Sequence, residues 1–351
     1  MNMEGALATA IEPVAAAPEP APVLAQVGIV AIGRNEGDRL HRCFASLPPG
    51  TAGIVYVDSG SSDDSVAQAR ARAIDVVELD MTVPFTAARA RNAGISRLRE
   101  IAPKLRFVQV LDGDCELVPG FVEEALAVMS ADPKVAVVCG RRRELQRDAS
   151  VYNRITDMEW DTPVGETEAC GGDALIRLEA FDAIGGYDDG LIAGEEPEMC
   201  LRMRRAGFRI HRIACDMTRH DAAMSRFAQW WRRSVRAGYA AAEGAHGQIA
   251  DGFNRRITRS NVLWGFALPG LAFAMTLATA GASLLLLCLY AVLFCRVRSY
   301  RVREQGDRGP DATAFALYCV LGKLPQFLGA LRFELNRLRG RRATVIEYKR
   351  A

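Results

Sequence analysis

The residues in this sequence with the plainest chemistry are Asp112 and Asp114, two carboxylates one residue apart in Asp112-Gly113-Asp114. A pair with that spacing can hold a Mg2+ or Mn2+ ion that in turn binds a diphosphate. Such an ion neutralises the charge that builds on a departing diphosphate. An Asp-Gly turn on a surface loop would carry the same residues, so position decides between the two. Here the pair directly follows Phe107-Val108-Gln109-Val110-Leu111, which reads as a buried strand.

Asp58 closes an earlier apolar run, Ile54-Val55-Tyr56-Val57, in the same way. Its carboxylate can accept hydrogen bonds from a base or a ribose, or it can simply cap the following helix. Arg89, Arg91 and Asn92 share one predicted helix ahead of the acidic pair. An Arg there offers a planar fork to phosphate oxygens, although an exposed helical Arg is usually only solvated.

These side chains need a scaffold, and the chain supplies short apolar runs that alternate with helical stretches. The run 27–32 ends at Gly33-Arg34-Asn35-Glu36 and leads to a helix through Leu40, Phe44 and Leu47. The run 54–57 leads to a helix from about Ser65; 75–79 reads as a strand, 87–98 as a helix and 135–139 as another strand. A less regular region extends to about His220, and a helix carrying Trp230 and Trp231 follows. The alternation predicts an α/β fold with a doubly wound, mainly parallel sheet. Ligands of such sheets sit at the carboxyl ends of the strands, where Asp58 and Asp112 lie.

A length of 351 residues accommodates one large domain of this kind and an appendage. The formal net charge of +2 argues against a dedicated nucleic-acid binder, while Arg141-Arg142-Arg143 and Arg255-Arg256 can still serve phosphates or lipid head groups. The 9 cysteines have no CxxC spacing and read as reduced cytosolic thiols, not a disulfide frame or a zinc site. Residues 1–24 are Ala/Pro-rich, lack the basic start and apolar run of a signal peptide, and read as a mobile tail. The glycines from Gly28 to Gly37 do not make a dinucleotide fingerprint, and no P-loop is present.

Composition changes at Asn261, and from there to Phe294 no residue is charged. That run exceeds the roughly 20 residues that cross a bilayer as one helix. Arg255, Arg256 and Arg259 precede it and Arg296, Arg298, Arg301 and Arg303 follow it. The positive-inside rule places both ends in the cytoplasm, which favours a hairpin turning near Ala280-Gly281, or a re-entrant pair, over a single crossing. One span plus an interfacial piece, and a buried pair of core helices, are the other readings. The stretch 313–333, broken by Lys323 and Pro325, suits an amphipathic helix in the membrane interface. The expected organisation is a 1–24 tail, a 25–245 α/β domain and a 246–351 membrane-associated helical region containing the apolar 261–294.

Four segments, taken in order, resemble a family 2 glycosyltransferase of the GT-A fold. They are Gly33-Arg34-Asn35-Glu36, Val57-Asp58-Ser59-Gly60-Ser61-Ser62-Asp63, Ala90-Arg91-Asn92-Ala93-Gly94 and Asp112-Gly113-Asp114. Farther on, Gly171-Gly172-Asp173-Ala174-Leu175 and Ile184-Gly185-Gly186-Tyr187-Asp188 resemble that family's acceptor-side loop. Gly194-Glu195-Glu196-Pro197-Glu198 resembles its catalytic-base motif, with Glu196 where the family has Asp. The resemblance covers about 27–239. It implies that Asn35, Glu36, Asp58, Arg91, Asn92 and Asp112 contact the donor, and that Asp112 and Asp114 hold a Mg2+ or Mn2+ ion which His220 completes. It also implies Glu196 or Glu195 as base and Gly172, Asp173, Gln229, Trp230 and Arg232 on the acceptor. A carboxylate in hydrogen-bond reach of a hydroxyl can take its proton as it attacks, while acids also favour a helix N-terminus for its dipole. Gln229-Trp230-Trp231-Arg232-Arg233 resembles the QxxRW element of processive synthases, but Arg233 stands at the Trp position. Trp230 and Trp231 can stack on sugar rings or pack in a core.

The expected activity is metal-dependent, inverting transfer of a sugar from a nucleotide-diphosphate sugar, UDP- or GDP-linked, to a lipid-linked or other glycan acceptor. The expected place is the cytoplasmic face of the inner membrane, in contact with membrane lipid, in exopolysaccharide or cell-surface glycan assembly. A nucleotidyltransferase, which would release pyrophosphate, and a catalytically silent membrane scaffold are the rival readings.

Overall fold

The computed structural model describes residues 23–246 and 252–340, so residues 1–22 of the expected tail lie outside the described residues. The first half follows the alternation read from the sequence. Its elements are β1 (Val27–Gly33), α1 (Asp38–Ala45), β2 (Gly53–Asp58), α2 (Ser65–Ala71), β3 (Asp75–Glu78), α3 (Ala87–Ile101) and β4 (Phe107–Asp112). Strand β1 is buried from Val27 to Ile32, as expected of a central strand covered on both faces. Helix α1 buries Leu40, Cys43 and Phe44, the i, i+3, i+4 stripe of an amphipathic helix. Helix α3 starts where Thr86 caps the Arg89 backbone N–H, and it meets the sheet through Gly94, where a Cβ would stand 2.5 Å from Val30 Cγ1.

Next come β5 (Cys115–Leu117), α4 (Phe121–Ala131) and β6 (Val135–Glu144), which extends the strand expected at 135–139. The region read as less regular is ordered and contains α5 (Val151–Glu159), β7 (Gly165–Glu166), β8 (Ala174–Arg177), α6 (Leu178–Ala183), α7 (Glu195–Arg205) and β9 (Arg209–His220). All strands join one nine-stranded sheet in the order β3-β2-β1-β4-β8-β6-β9-β5, with β7 on β9. The sheet is mixed: β3, β2, β1 and β4 are mutually parallel, β8 runs antiparallel to β4 and β6, and β9 runs parallel to β6. Strand β9 escaped the sequence reading because Arg209, His211, Arg212, Asp216 and Arg219 interrupt any apolar run.

Beyond the sheet lie α8 (Phe227–His246), α9 (Gly252–Val262), α10 (Leu268–Ala274), α11 (Leu289–Arg303), α12 (Gly309–Leu321) and α13 (Lys323–Leu338). A π-helical turn at Leu263–Ala267 joins α9 to α10, and a 3-10 stretch at Ala282–Cys288 leads into α11. The chain reverses at Ala280 and Gly281, both with positive φ, as the hairpin reading expected. Ser283 Oγ donates to Ala272 O at 2.7 Å, and the Trp264 and Tyr290 rings meet edge to face, which closes the hairpin. It is not a buried core pair: Leu277 is 96% exposed, Leu285 71% and Phe273 64%.

The stretch expected to lie in the membrane interface is docked on α8 along one face. Helix α13 crosses α8 so closely that a Cβ on Gly238 would lie 1.9 Å from Gln326 O, and one on Gly329 would lie 2.0 Å from Val235 O. The exposed side of α12 and α13 keeps the amphipathic character. Leu317, Leu321, Leu324, Leu328, Leu331, Leu335 and Leu338 recur at alternating spacings of four and three and are all exposed.

Candidate functional site

The β1–β4 register sets Ile32 beside Asp112, and the β1–β2 register sets Gly33 beside Asp58. The loops after these strands therefore meet at one edge of the sheet, around a cleft of about 640 Å3. Gly113 packs closely there: its N–H donates to Ile32 O at 2.7 Å, and a Cβ would stand 3.1 Å from the same oxygen. The turn thus throws Asp112 and Asp114 to the cleft as an acidic pair.

At one end of the cleft Asp114 faces His220. Antiparallel pairing sets Cys115 opposite His220, and parallel pairing sets Glu144 opposite it from the other side. His220 Nε2 lies 3.4 Å from Asp114 Oδ2, and its Nδ1 lies 3.7 Å from Glu144 Oε2. Nδ1 is buried without a hydrogen-bond partner. Glu144 is itself fixed by the N–H groups of Gln146 and Ala222 and by Asn153 Nδ2. Trp160 braces the imidazole edge to face at 4.9 Å. Cys115 is adjacent, but burial pushes its thiol far above the ordinary value, so it brings no anion. A carboxylate and an imidazole converging, with a second carboxylate behind the imidazole, form a donor set that fits a divalent cation.

Asp112 is oriented differently, into a pair of arginines. Arg91, fully buried, places Nη2 at 2.9 Å from Asp112 Oδ1 and Nη1 at 2.6 Å from Glu195 Oε1. Burial alone would lower the Arg91 pKa, but Asp112 and Glu195 overcome it and the net shift is upward. Arg142 Nη2 reaches Asp112 Oδ2 at 3.6 Å and Asp173 Oδ2 at 2.7 Å. Glu196 points away from this network: it accepts from the backbone N–H of Cys170 and lies 3.2 Å from Cys200 Sγ. Burial raises its pKa, against the hydrogen bonds from Cys170 and Cys200. Gly172, two residues beyond Cys170, packs against Asp112, where a Cβ would stand 3.1 Å from Oδ2. One short loop therefore links Glu196 to the acidic pair.

Asn35 lines the cleft, while Asp58 is buried and outside the cleft lining. Asn35 Oδ1 accepts from the N–H groups of Ser62 and Asp63, which ties the loop after β1 to the loop after β2. Asp58 accepts from Gly60 N, Ser61 N, Tyr56 OH and Ser61 Oγ, so its carboxylate shapes its own loop. Glu36 lines the cleft and pairs with Arg39 at 2.9 Å. Arg34 lies over the Phe85 ring at 4.9 Å, the two forming a flat platform in the cleft lining.

Comparison with known proteins fits this geometry. Residues 29–184 match the model of glycosyl transferase family 2. Those residues form a family 2 glycosyltransferase domain. Over 220 residues the chain is 27% identical to the pre-mycofactocin glycosyltransferase of Mycobacterium tuberculosis (strain ATCC 25618 / H37Rv), covering 58% of this chain and 44% of that protein. Over 181 residues it is 29% identical to the succinoglycan biosynthesis protein ExoA of Rhizobium meliloti (strain 1021), covering 47% of this chain and 52% of that one. The chain thus spans about half the length of these relatives. The solved mannosyltransferase PcManGT from Pyrobaculum calidifontis, in complex with GDP-Man and Mn2+, superposes with a TM-score of 0.58 at 17% identity, over 89% of this chain and 88% of that one. The glycosyltransferase domain has the GT-A fold.

Around this glycosyltransferase domain several sequence-predicted residues have other work. Asn92 does not reach the cleft: its Nδ2 donates to Tyr187 O and Asp189 Oδ1, and its Oδ1 accepts from Tyr187 N, pinning the 185–189 loop to α3. Asp173 is fully buried and holds the Asp112 N–H, Thr218 Oγ1 and Arg142. Gln229 Oε1 accepts from Ser225 N and Arg226 N, capping the start of α8. Trp230 is buried against Tyr318 at 4.9 Å, and Arg232 is exposed outside the cleft lining. Helical phase explains the exchange, because the α8 residues that do face the cleft are Arg233, Ser234, Arg236, Ala237 and Ala240.

The sequence reading missed Arg34, Phe85, Arg142 and Trp160 as cleft residues, although Arg142 stood in a basic cluster already noted as open to phosphates. It also missed Glu243 on α8. The Glu243 carboxylate lies near the backbone amides of Ile192 and Ala193, and its pKa is raised to about 7, mainly by burial. No local pattern marks it, since the loop beside it is distant in sequence.

Proposed function

We propose that this chain is an inverting, divalent-cation-dependent glycosyltransferase that moves a sugar from a nucleotide-diphosphate donor to a lipid-linked glycan acceptor at the cytoplasmic membrane face. The observation that carries the reading is the meeting of Asp114 and His220 at a cleft whose floor holds Asp112 between Arg91 and Arg142. Asp114 and His220 would hold the cation, and a mixed oxygen and imidazole set favours Mn2+ over Mg2+. When bound, the cation supplies charge neutralisation for the diphosphate. A GT-A relative of this architecture that carries GDP-Man and Mn2+ supports a donor of that class.

The chain's own residues supply the rest. Asp112, steadied by the arginines, accepts hydrogen bonds from the donor's sugar hydroxyls, and the Arg34–Phe85 platform receives the flat base. Glu196 takes the acceptor hydroxyl's proton as that oxygen attacks the anomeric carbon from the face opposite the leaving diphosphate, which inverts the configuration. Its pKa, raised by burial, suits a base, whereas Glu195 is committed to Arg91. The exposed hairpin and the leucine stripe of α12 and α13 support attachment to a membrane, and the arginines at both hairpin ends support the cytoplasmic side. Two helices, Ala282–Arg303 and Gly309–Leu338, are long and apolar enough to enter a bilayer. The name of the succinoglycan relative supports a place in polysaccharide assembly.

The test is a panel of nucleotide sugars assayed for binding with and without Mn2+. Binding of one donor that is lost with chelator and in Asp114→Ala supports the reading. No binding of any donor with Mn2+ or Mg2+ present would sink it.

A further inference from the structure

A second cavity of about 640 Å3 lies beside the catalytic cleft, between α7 and the 185–194 loop on one side and α8, α9 and α13 on the other. The two cavities share Ala193, Ala237, Ala240 and Gln326, so they are neighbours across a thin partition. Glu243 on α8 lies beside that partition, near the Ile192 and Ala193 amides. The α8 wall is built of Ala237, Ala240, Ala241 and Gly244, small residues at i, i+3, i+4 and i+7 on one face of the helix, with the Asn254 side chain packed on Gly244. The other end of the cavity is lined by Ile257 and Asn261, at the foot of the exposed apolar hairpin.

The charged residues of this cavity have partners within the chain: Asp188 Oδ1 accepts from the Gly190 N–H at 2.9 Å. Glu198 and Arg202 satisfy each other through two hydrogen bonds of 2.6 Å, and Arg202 also donates to Ile184 O. What remains is a largely apolar cavity of ligand size, next to the catalytic cleft at one end and to the foot of the apolar hairpin at the other. We infer that this cavity holds the apolar stem of the acceptor, an isoprenoid-type chain, and so brings the acceptor's polar head past Ala193 to the cleft. The inference rests on the lipid-linked reading above and adds where the lipid binds. A chain drawn from the bilayer keeps its hydrocarbon out of water along the whole path, which an open route over the surface would not allow.

The test uses the full chain in phospholipid vesicles with a diazirine-bearing polyprenyl phosphate, the crosslinked residues being mapped by mass spectrometry. Labels are expected on Leu201, Ala241 and Ile257, and Ala241→Trp is expected to reduce them by roughly tenfold. Ile257→Trp fills the cavity from the opposite wall and should do the same, so a folding defect in one variant leaves the other to decide. Labels confined to the hairpin surface around Phe273 and Leu277, or unchanged in both variants, would overturn the inference. Nucleotide-sugar binding measured on the same samples separates the two proposals. If no donor binds while the cavity is labelled, the transfer reading fails and the lipid site stands; if a donor binds and the cavity stays unlabelled, the reverse holds.

Discussion

His220 Nε2 sits 3.4 Å from Asp114 Oδ2, although one residue ends β9 and the other precedes β5. The β5–β9 pairing makes that contact, and Glu144 stands behind the imidazole at 3.7 Å. A carboxylate in that position orients a ligating imidazole. Glu144→Gln is therefore expected to weaken Mn2+ binding by roughly 10–100-fold while the fold persists. Titration calorimetry with Mn2+ checks it, and unchanged affinity would remove the imidazole from the proposed shell.

Glu195 and Glu196 are neighbours with separate proposed roles. Glu196→Gln is expected to lower the turnover number by roughly 10^2–10^4-fold with donor affinity retained. Glu195→Gln leaves the buried Arg91 short of one counter-charge, so it should weaken donor binding as well as slow turnover. Steady-state kinetics and donor binding on both variants distinguish the base from the positioning residue.

Glu243 gives a pH signature. Its pKa in the folded chain, about 7, lies above the ordinary 4.5, chiefly through burial, so the folded state holds the proton more tightly than the unfolded state does. The stability linked to this group is full below about pH 4.5 and is lost as pH rises through about 7. Melting temperature is expected to fall across that window and to fall less in Glu243→Gln. Parallel curves for the two proteins would contradict the assignment.

The α8–α13 crossing depends on glycine. Gly329→Ala places a methyl 2.0 Å from Val235 O and Gly238→Ala places one 1.9 Å from Gln326 O, both backbone atoms that cannot step aside. Each substitution is expected to destabilise the docked C-terminal helix by about 1–3 kcal/mol. Faster limited proteolysis between α12 and α13 than in the wild type reports it.

The exposed hairpin predicts a membrane partition. Leu277→Glu with Leu285→Glu puts two charges on its most exposed apolar positions. Co-sedimentation with anionic phospholipid vesicles is expected to drop several-fold, while the soluble domain keeps its donor affinity.

By itself the sequence determined the parallel half of the sheet, the Asp112-Gly113-Asp114 turn at its edge and the hairpin reversal at Ala280-Gly281. Each is local: a buried strand needs a continuous apolar run, a strand-end turn favours a small residue, and a long uncharged run broken at Ala280-Gly281 marks two apolar arms. What only the tertiary structure decided is partnership. Asn92 and Asp173 carry the residue types of ligands, yet their polar atoms are consumed by Tyr187, Thr218 and Arg142. Trp230 and Arg232 lost the cleft to Arg233 and Arg236 through helical phase, which the docking of α13 on α8 fixes. Arg142, Trp160 and Glu243 gained their places from contacts across the fold, because a side chain's task depends on what long-range packing sets opposite it, and spacing along the chain does not encode that.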